Sequence, residues 1–202
     1  MVLAAYIDPN FEQNARLMDA VIFSSGGGHI ELGEWDGMLA EPYFPKYQKM
    51  SSELAGAMER YYDFTIRYQE LIGPMTRDET QKYLGRIEME GVRTQPHLLM
   101  NKVWPIVREG NHFTAISFVN LLGVKSPEWA KEIVNSPKPL GPTTVQIQGA
   151  EERAACVWMA TPDGEDPSPQ FLQYKQDNND KVLTFQIHSL AYWDLVVIEW
   201  SD

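Results

Sequence analysis

The chain has 202 residues, of which 44% are hydrophobic, enough for one sizeable or two small globular domains with packed cores. Its 17 lysines and arginines against 28 aspartates and glutamates give a formal net charge of −11, which repels phosphate backbones and anionic membrane surfaces. We therefore expect neither nucleic acid nor a membrane as a partner, and the single cysteine, Cys156, excludes an intramolecular disulfide.

The first residues predict a strand, a helix and a second strand. Residues 2–7 (VLAAYI) form a nearly continuous apolar run, residues 11–19 (FEQNARLMD) can form about two and a half helical turns, and residues 20–25 (AVIFSS) resume the apolar run. Strands that are apolar throughout are typical of parallel sheets covered by helices. The sequence therefore predicts a parallel α/β unit here.

A helix is predicted over residues 51–72. Apolar and aromatic side chains recur at helical spacing, Ser51 or Ser52 can cap the N-terminus, and Gly73-Pro74 ends the pattern. We take residues 1–75 as one unit with the order strand, helix, strand, loop, helix.

The second half of the chain is predicted to be antiparallel β structure. From about residue 92 the sequence changes to alternating, β-branched runs separated by turn signals such as Asp163-Gly164. We expect a β-sandwich over residues 92–202 and a linker over residues 76–91.

The stretch SSGGGHIELGE, Ser24 to Glu34, does not fit a nucleotide-binding loop. No lysine lies near its glycines, Gly26, Gly27 and Gly28, and the glycines do not run straight into a helix. Two further possibilities are metal binding and a wall of some other ligand site.

His29 and Glu31 form an H-x-E pair whose side chains point to the same face if the backbone is extended, and Glu34 or Asp36 could complete a zinc site. No second histidine lies nearby, because the other three are in the second half of the chain. Alternatively, His29 is a hydrogen-bonded histidine that fixes a loop.

A ligand site is expected where the two strands end, because in parallel α/β folds such sites form at the carboxyl ends of the strands. Three glycines allow the backbone to approach a ligand closely, and an acidic, aromatic-rich surface suits a neutral polyol such as a carbohydrate. The polar and aromatic residues at these ends are Tyr6, Asp8, His29, Glu31, Glu34 and Trp35.

One long segment, AVIFSSGGGHIELGEWDGMLAEPYFPKYQKMSSELAGAMERYYDF, resembles the end of the catalytic barrel in glycoside hydrolase family 66, the dextranases and cycloisomaltooligosaccharide glucanotransferases. The closing SLAYWDLVVIEW resembles the last strand of that family's β domain. The resemblance covers nearly the whole chain and is weakest at about residues 74–95.

The resemblance implies a fold: the last two β/α units of a (β/α)8 barrel followed by an antiparallel β-sandwich. Residues 2–7 then resemble the seventh barrel strand, residues 20–25 the eighth strand, and residues 51–72 the eighth helix. The family's nucleophilic aspartate and acid/base glutamate lie on earlier strands, so no catalytic residue is expected in this chain. What carries over is the barrel rim, where His29, Glu31 and Glu34 match the motif and would contact sugar.

The resemblance also implies a function. We expect a C-terminal fragment of a retaining glycosidase or transglycosylase that acts on α-1,6-glucan, either dextran or isomaltooligosaccharide, with the rest of the barrel as its partner and no cofactor. The parent enzyme is expected to be secreted or at the cell surface, although the first residues lack the basic region of a signal peptide. The alternatives are a non-catalytic carbohydrate-binding or accessory module, and a metal-dependent hydrolase using His29 and Glu31.

Overall fold

The computed structural model describes residues 1–4, 6–33, 35–41, 46–131, 134–177 and 179–201. No helix within these ranges is long and apolar enough to cross a membrane. The α-helices in them are Glu12–Ser24 (α1), Ser52–Arg67 (α2) and Gln69–Ile72 (α3), with a 3-10 helix at Thr80–Tyr83. The strands are Val2–Leu3 (β1), Gly28–His29 (β2), Gly37–Leu39 (β3), Tyr47–Lys49 (β4), Arg77–Asp78 (β5), Ile87–Met89 (β6), Val103–Glu109 (β7), Phe113–Asn120 (β8), Thr143–Gln148 (β9), Ala154–Ala160 (β10), Gln170–Phe171 (β11), Tyr174–Asp177 (β12), Val182–Ile187 (β13) and Trp193–Trp200 (β14).

The first part of the chain contains the expected parallel strand pair, but the second strand is displaced. β1 pairs with β2 in parallel through Val2 with Gly28 and Leu3 with His29. The prediction of a strand over residues 20–25 is wrong, because α1 continues to Ser24. A short apolar run is compatible with a buried helix as well as with a strand. Here the run forms the last turns of α1, and most of its side chains are buried.

The three glycines lie at the end of α1. Gly26 has a φ of 77°, its N–H donates to the Phe23 carbonyl at 3.0 Å, and the Gly27 N–H donates to the Ile22 carbonyl at 2.9 Å. This pair of bonds is the Schellman arrangement that ends helices with a left-handed residue. Gly26 and Gly27 therefore turn the chain from α1 into β2, and Gly28 is the first residue of β2, so the glycines lie at the start of the second strand and not after it.

The second half of the chain forms two antiparallel sheets that share a core. One sheet has the strand order β11-β10-β14-β8-β7-β5 and the other β12-β13-β9-β6. Their facing side chains form a single buried cluster, to which every long strand contributes, for example Phe118 on β8, Val196 on β14 and Phe185 on β13. The predicted antiparallel character of this half is confirmed.

The predicted linker over residues 76–91 is part of these sheets. β5 pairs with β7, and β6 pairs with β9 through Ile87 and Met89. Two- and three-residue strands give too short an alternation to be recognised in the sequence, so the linker expectation was wrong.

Helices α1 and α2 cover the other face of the six-stranded sheet. Phe64 of α2 packs edge-on against Trp193 of β14 with ring centroids 5.0 Å apart, and Phe23 of α1 belongs to the same cluster. Leu195 and Val197 of β14 also face the helices. The six-stranded sheet is therefore buried on both faces, which explains why β8 and β14 are apolar almost throughout.

The Asp163 carboxylate, in the turn after β10, joins both helices to β14. Its Oδ1 accepts hydrogen bonds from Arg16 of α1 and from the Tyr61 hydroxyl of α2, both at 2.7 Å. Its Oδ2 accepts the backbone N–H groups of Tyr192 at 2.7 Å and Trp193 at 2.8 Å. With its side chain 6% exposed, this carboxylate makes four bonds that water would not easily replace.

We expect Asp163→Asn to lower the free energy of unfolding by about 3 kcal/mol, because it leaves Arg16 without its partner and converts an acceptor into a donor. Urea unfolding followed by tryptophan fluorescence measures the change. Asp180→Asn, in an exposed turn, is the matched control and should be nearly neutral. Equal stability of the two variants would contradict the bridging role of Asp163.

Candidate functional site

Three buried titratable side chains meet between α1 and β2. His29 on β2 and Glu31 just beyond it lie two positions apart on extended backbone, so both point to the face that is covered by the helices. Asp19 on α1 lies opposite, with its Oδ1 2.6 Å from His29 Nδ1, and Glu31 Oε1 is 3.2 Å from the same nitrogen. All three side chains are 1% exposed or less.

Tyr62 of α2 completes the cluster. Its hydroxyl lies 2.9 Å from the His29 carbonyl and 3.2 Å from Glu31 Oε1. Its ring stands edge-on to Phe23, with centroids 5.2 Å apart. Asp19 Oδ2 and Glu31 Oε2 are buried without a hydrogen-bond partner among the described residues. α1, β2 and α2 thus supply the four members of an Asp–His–Glu–Tyr network.

Burial and hydrogen bonding shift the pKa values in this network. Burial raises the pKa of Asp19 well above its usual range, although the hydrogen bond from His29 acts in the opposite direction. Burial alone would lower the pKa of His29, but the hydrogen bonds to Asp19 and Glu31 outweigh it and raise the pKa to about 10. Burial, followed by the nearby Glu31 and Asp19, raises the pKa of Tyr62. A proton therefore lies between His29 Nδ1 and Asp19 Oδ1, which are 2.6 Å apart.

The distances between the nitrogen and oxygen atoms of Asp19, His29 and Glu31 favour a shared proton over a bound metal ion. The ligand atoms of Asp19, His29 and Glu31 all lie within 4.8 Å of one another. However, two ligands bonded to one zinc at ~2.1 Å in a tetrahedron are roughly 3.4 Å apart. The 2.6 Å between Nδ1 and Oδ1 is instead the length of a short charge-assisted hydrogen bond.

A cleft of about 940 Å³ lies next to the network. Tyr62 belongs both to the network and to the cleft wall, so the buried charges lie directly behind this surface. The loop after β2 and the first turns of α2 form the other walls. Its polar side chains are Asp36, Lys49, Ser51, Ser52, Glu59, Tyr62 and Asp63.

Two exposed aromatic residues are close in sequence to residues that line the cleft, Trp35 directly before Asp36 and Tyr47 two positions before Lys49. Trp35 is 90% exposed and has a φ of 52°, a left-handed conformation that is rare for a bulky residue and strains the backbone. Tyr47 on β4 is 49% exposed, and its ring covers Gly33, where an added Cβ would lie 1.8 Å from a ring carbon. Gly33 is therefore required for this ring position.

The residues that were predicted to share one rim do not all come together. His29 and Glu31 face the helices, 6% and 1% exposed, and so do not project from the end of the strand as expected. Asp8 accepts hydrogen bonds from the backbone and side chain of Asn10 in the turn before α1. Tyr6 is half-buried, and Glu34 lies outside the described residues.

The glycines contact the protein and not a cleft. A Cβ on Gly26 would lie 2.9 Å from the guanidinium carbon of Arg108 and 3.0 Å from the Ile72 carbonyl oxygen. Arg108 of β7 in turn donates to the Ser25 carbonyl at 2.9 Å and to the Thr76 hydroxyl at 2.6 Å. The close backbone approach expected of the glycines is therefore made to Arg108.

Comparisons with known proteins give a consistent result. The model of the family described as glycosyl hydrolase family 66 matches residues 1–197. A cycloisomaltooligosaccharide glucanotransferase from Niallia circulans is 30% identical over 198 residues, which are 94% of this chain and 20% of that protein. A second one from the same organism is 28% identical over 196 residues, or 93% of this chain and 20% of that protein.

The fold matches as well. The crystal structure of a Paenibacillus sp. cycloisomaltooligosaccharide glucanotransferase, complexed with cycloisomaltoheptaose, superposes with a TM-score of 0.84 at 28% sequence identity. The match covers 92% of this chain and 27% of that one. This chain is mostly β-sheet with few helices. It spans about a fifth of the length of the curated relatives it matches.

We expect His29 to remain protonated up to about pH 9, since its hydrogen bonds raise the pKa to about 10. Titration of the His29 ring signals by ¹H–¹³C NMR measures this directly, with His29→Gln used to assign them. A His29 signal with a titration midpoint near the ordinary value of 6.5 would contradict the network.

The same shift predicts how stability depends on pH. A histidine whose pKa is higher in the folded chain, about 10 against 6.5, stabilises the fold fully below pH 6.5, and this contribution is lost as the pH rises through 10. The melting temperature should therefore fall between pH 7 and pH 10. His29→Gln should flatten this dependence, and His188→Gln, at an exposed site, should leave it unchanged.

Proposed function

Because the chain belongs to glycosyl hydrolase family 66, we propose that it is the C-terminal part of a retaining glycosidase or transglycosylase that acts on α-1,6-glucan. The observation that carries this proposal is the TM-score of 0.84 with a glucanotransferase over 92% of the chain. On this proposal β1, α1, β2 and α2 are the last two β/α units of a (β/α)8 barrel, and the two facing sheets are the β-sandwich that follows it.

The exposed side of the parallel strand pair supports this arrangement. Val2 and Leu3 on β1 are 64% and 40% exposed, and Ile30 and Leu32, which point away from His29 and Glu31, are 57% and 43% exposed. Apolar strands of this kind are normally covered, because open strand edges and apolar faces promote association. The remaining barrel strands would cover them, with Ile30 and Leu32 directed toward the barrel interior.

We assign the catalytic carboxyls to barrel strands outside this chain. Retention requires two carboxyl groups about 5 Å apart that flank the anomeric carbon. Asp19 and Glu31 are close enough to each other, but both are buried behind β2 and hydrogen-bonded to His29. They cannot reach a glycosidic bond, so the contribution of this chain is contact with the glucan.

The cleft lined by Tyr62 is the surface we assign to that contact. Carboxylates and hydroxyls in its walls can bind sugar hydroxyls, and the exposed rings of Trp35 and Tyr47 offer flat apolar faces on which a pyranose can stack. His29 and Glu31 lie behind the cleft wall and hold the hydroxyl of Tyr62, which lines the cleft. The glucan itself is inferred from the Paenibacillus enzyme, which is complexed with cycloisomaltoheptaose.

Two alternatives make different predictions. A non-catalytic carbohydrate-binding module would bind glucan through the same rings without any barrel partner. A metal-dependent hydrolase is supported by the approach of Asp19 to His29 and Glu31, but the 2.6 Å hydrogen bond speaks against it. Binding of glucan in the presence and absence of a chelator separates the metal-dependent alternative from the other two.

We expect cycloisomaltoheptaose to bind the chain saturably and to shift the NMR signals of the Trp35 indole and Lys49. Trp35→Ala should weaken binding about tenfold, since a stacking contact contributes about 1.4 kcal/mol. Phe171→Ala removes a ring that is 73% exposed on β11, away from the cleft, and serves as the control. Equal affinities of the two variants, or binding abolished by chelator, would contradict the proposed site.

A further inference from the structure

We propose that Asp19 is a positioning residue for the cleft wall. Through His29 and Glu31 it orients the Tyr62 hydroxyl. In that orientation the hydroxyl can accept a hydrogen bond from a ligand in the cleft but cannot donate one to it. The ligand that fits this wall is a hydroxyl donor, such as a sugar. The inference deepens the proposed function and depends on it for the identity of the ligand.

The direction of the Tyr62 proton follows from its neighbours. The hydroxyl has one proton, and among the described residues the atoms within its reach are the His29 carbonyl oxygen at 2.9 Å and Glu31 Oε1 at 3.2 Å. The nearer of the two, the backbone carbonyl oxygen, can only accept a hydrogen bond. The proton is therefore used inside the protein, and any bond between this hydroxyl and the cleft must use its lone pairs.

Asp19 controls this arrangement from α1. Its Oδ1 accepts the Nδ1 proton of His29 at 2.6 Å, which fixes the plane of the ring and favours the charged imidazole. The ring then lies 3.2 Å from Glu31 Oε1, the same oxygen that Tyr62 approaches. Among the described residues, the titratable groups that face His29 are Asp19, Glu31 and Tyr62.

The Asp–His–Glu–Tyr network is not explained by a contribution to folding stability alone. Three ionisable side chains are 1% exposed or less, and two of them have an oxygen without a partner in the described part of the chain. They lose hydration that apolar residues of similar volume would not lose. Their place directly behind a cleft-lining tyrosine offers a reason for retaining them. We infer that these charged side chains are retained because they orient the Tyr62 hydroxyl.

The test compares Asp19→Asn, Tyr62→Phe and the double variant, with Glu70→Gln on the exposed side of α3 as control. We expect Asp19→Asn to lower the pKa of His29 by at least one unit in the free chain and to change the ¹³Cζ shift of Tyr62. Tyr62→Phe should weaken binding of cycloisomaltoheptaose about fivefold, the usual effect of losing one neutral hydrogen bond. Asp19→Asn should weaken it similarly.

Non-additivity distinguishes positioning from a structural role. If Asp19 acts through Tyr62, the double variant binds no more weakly than Tyr62→Phe alone, whereas independent effects multiply to about 25-fold. Multiplying effects, or an unchanged His29 pKa in Asp19→Asn, would overturn the proposal. If Asp19→Asn does not fold, Glu31→Gln is used, and it should lower the pKa of His29 and weaken binding without adding to Tyr62→Phe.

The two measurements also separate this proposal from the proposed function. Absence of glucan binding by the unaltered chain, together with the expected shifts of His29 and Tyr62, would refute the glucan assignment and support the network. Glucan binding with no response of His29 or Tyr62 to Asp19→Asn would refute the positioning role and leave the glucan assignment standing.

Discussion

The outer face of the six-stranded sheet has to be covered, and much of the remaining structure follows from how this is done. Phe23 and Phe64 place α1 and α2 on that face, and Asp163 fixes both helices to the start of β14. Once α1 is held there, its final turn and the Gly26 reversal determine where β2 begins. The position of His29 behind the cleft is thus set by packing against a sheet far along the chain.

The sequence predicts those elements whose signals are local. α2 begins one residue after the predicted Ser51, which accepts the Leu54 N–H at 3.1 Å as a capping residue should, and the last helical turn stops before Gly73-Pro74. The antiparallel strands of the second half were likewise recognisable from alternation and turns. By contrast, whether the apolar run of residues 20–25 is helix or strand depends on its packing against α2 and β8, so the sequence pattern predicts the wrong element there and puts the glycines at the wrong end of the second strand.

The sequence predicts some residues of the candidate site but not the direction in which their side chains point. His29 and Glu31 lie on one face, as their spacing predicts. Which face that is depends on the register of the strand, and the spacing alone does not determine it. Asp19 was missed, although one acidic residue within the apolar run LMDAVIF is a signal that a buried partner exists. Glu59, Tyr62 and Asp63 were missed because they look like ordinary residues on a surface helix.

The Asp163 bridge has a consequence for recombination between related enzymes. A cassette cut between α2 and β5 would separate Tyr61 and Arg16 from their shared acceptor and expose the aromatic layer around Trp193 on both pieces. A β domain transplanted from one relative to another must therefore bring matching α1 and α2 surfaces with it. In evolutionary terms we expect α1 and α2 to be exchanged together with the sheet that they cover.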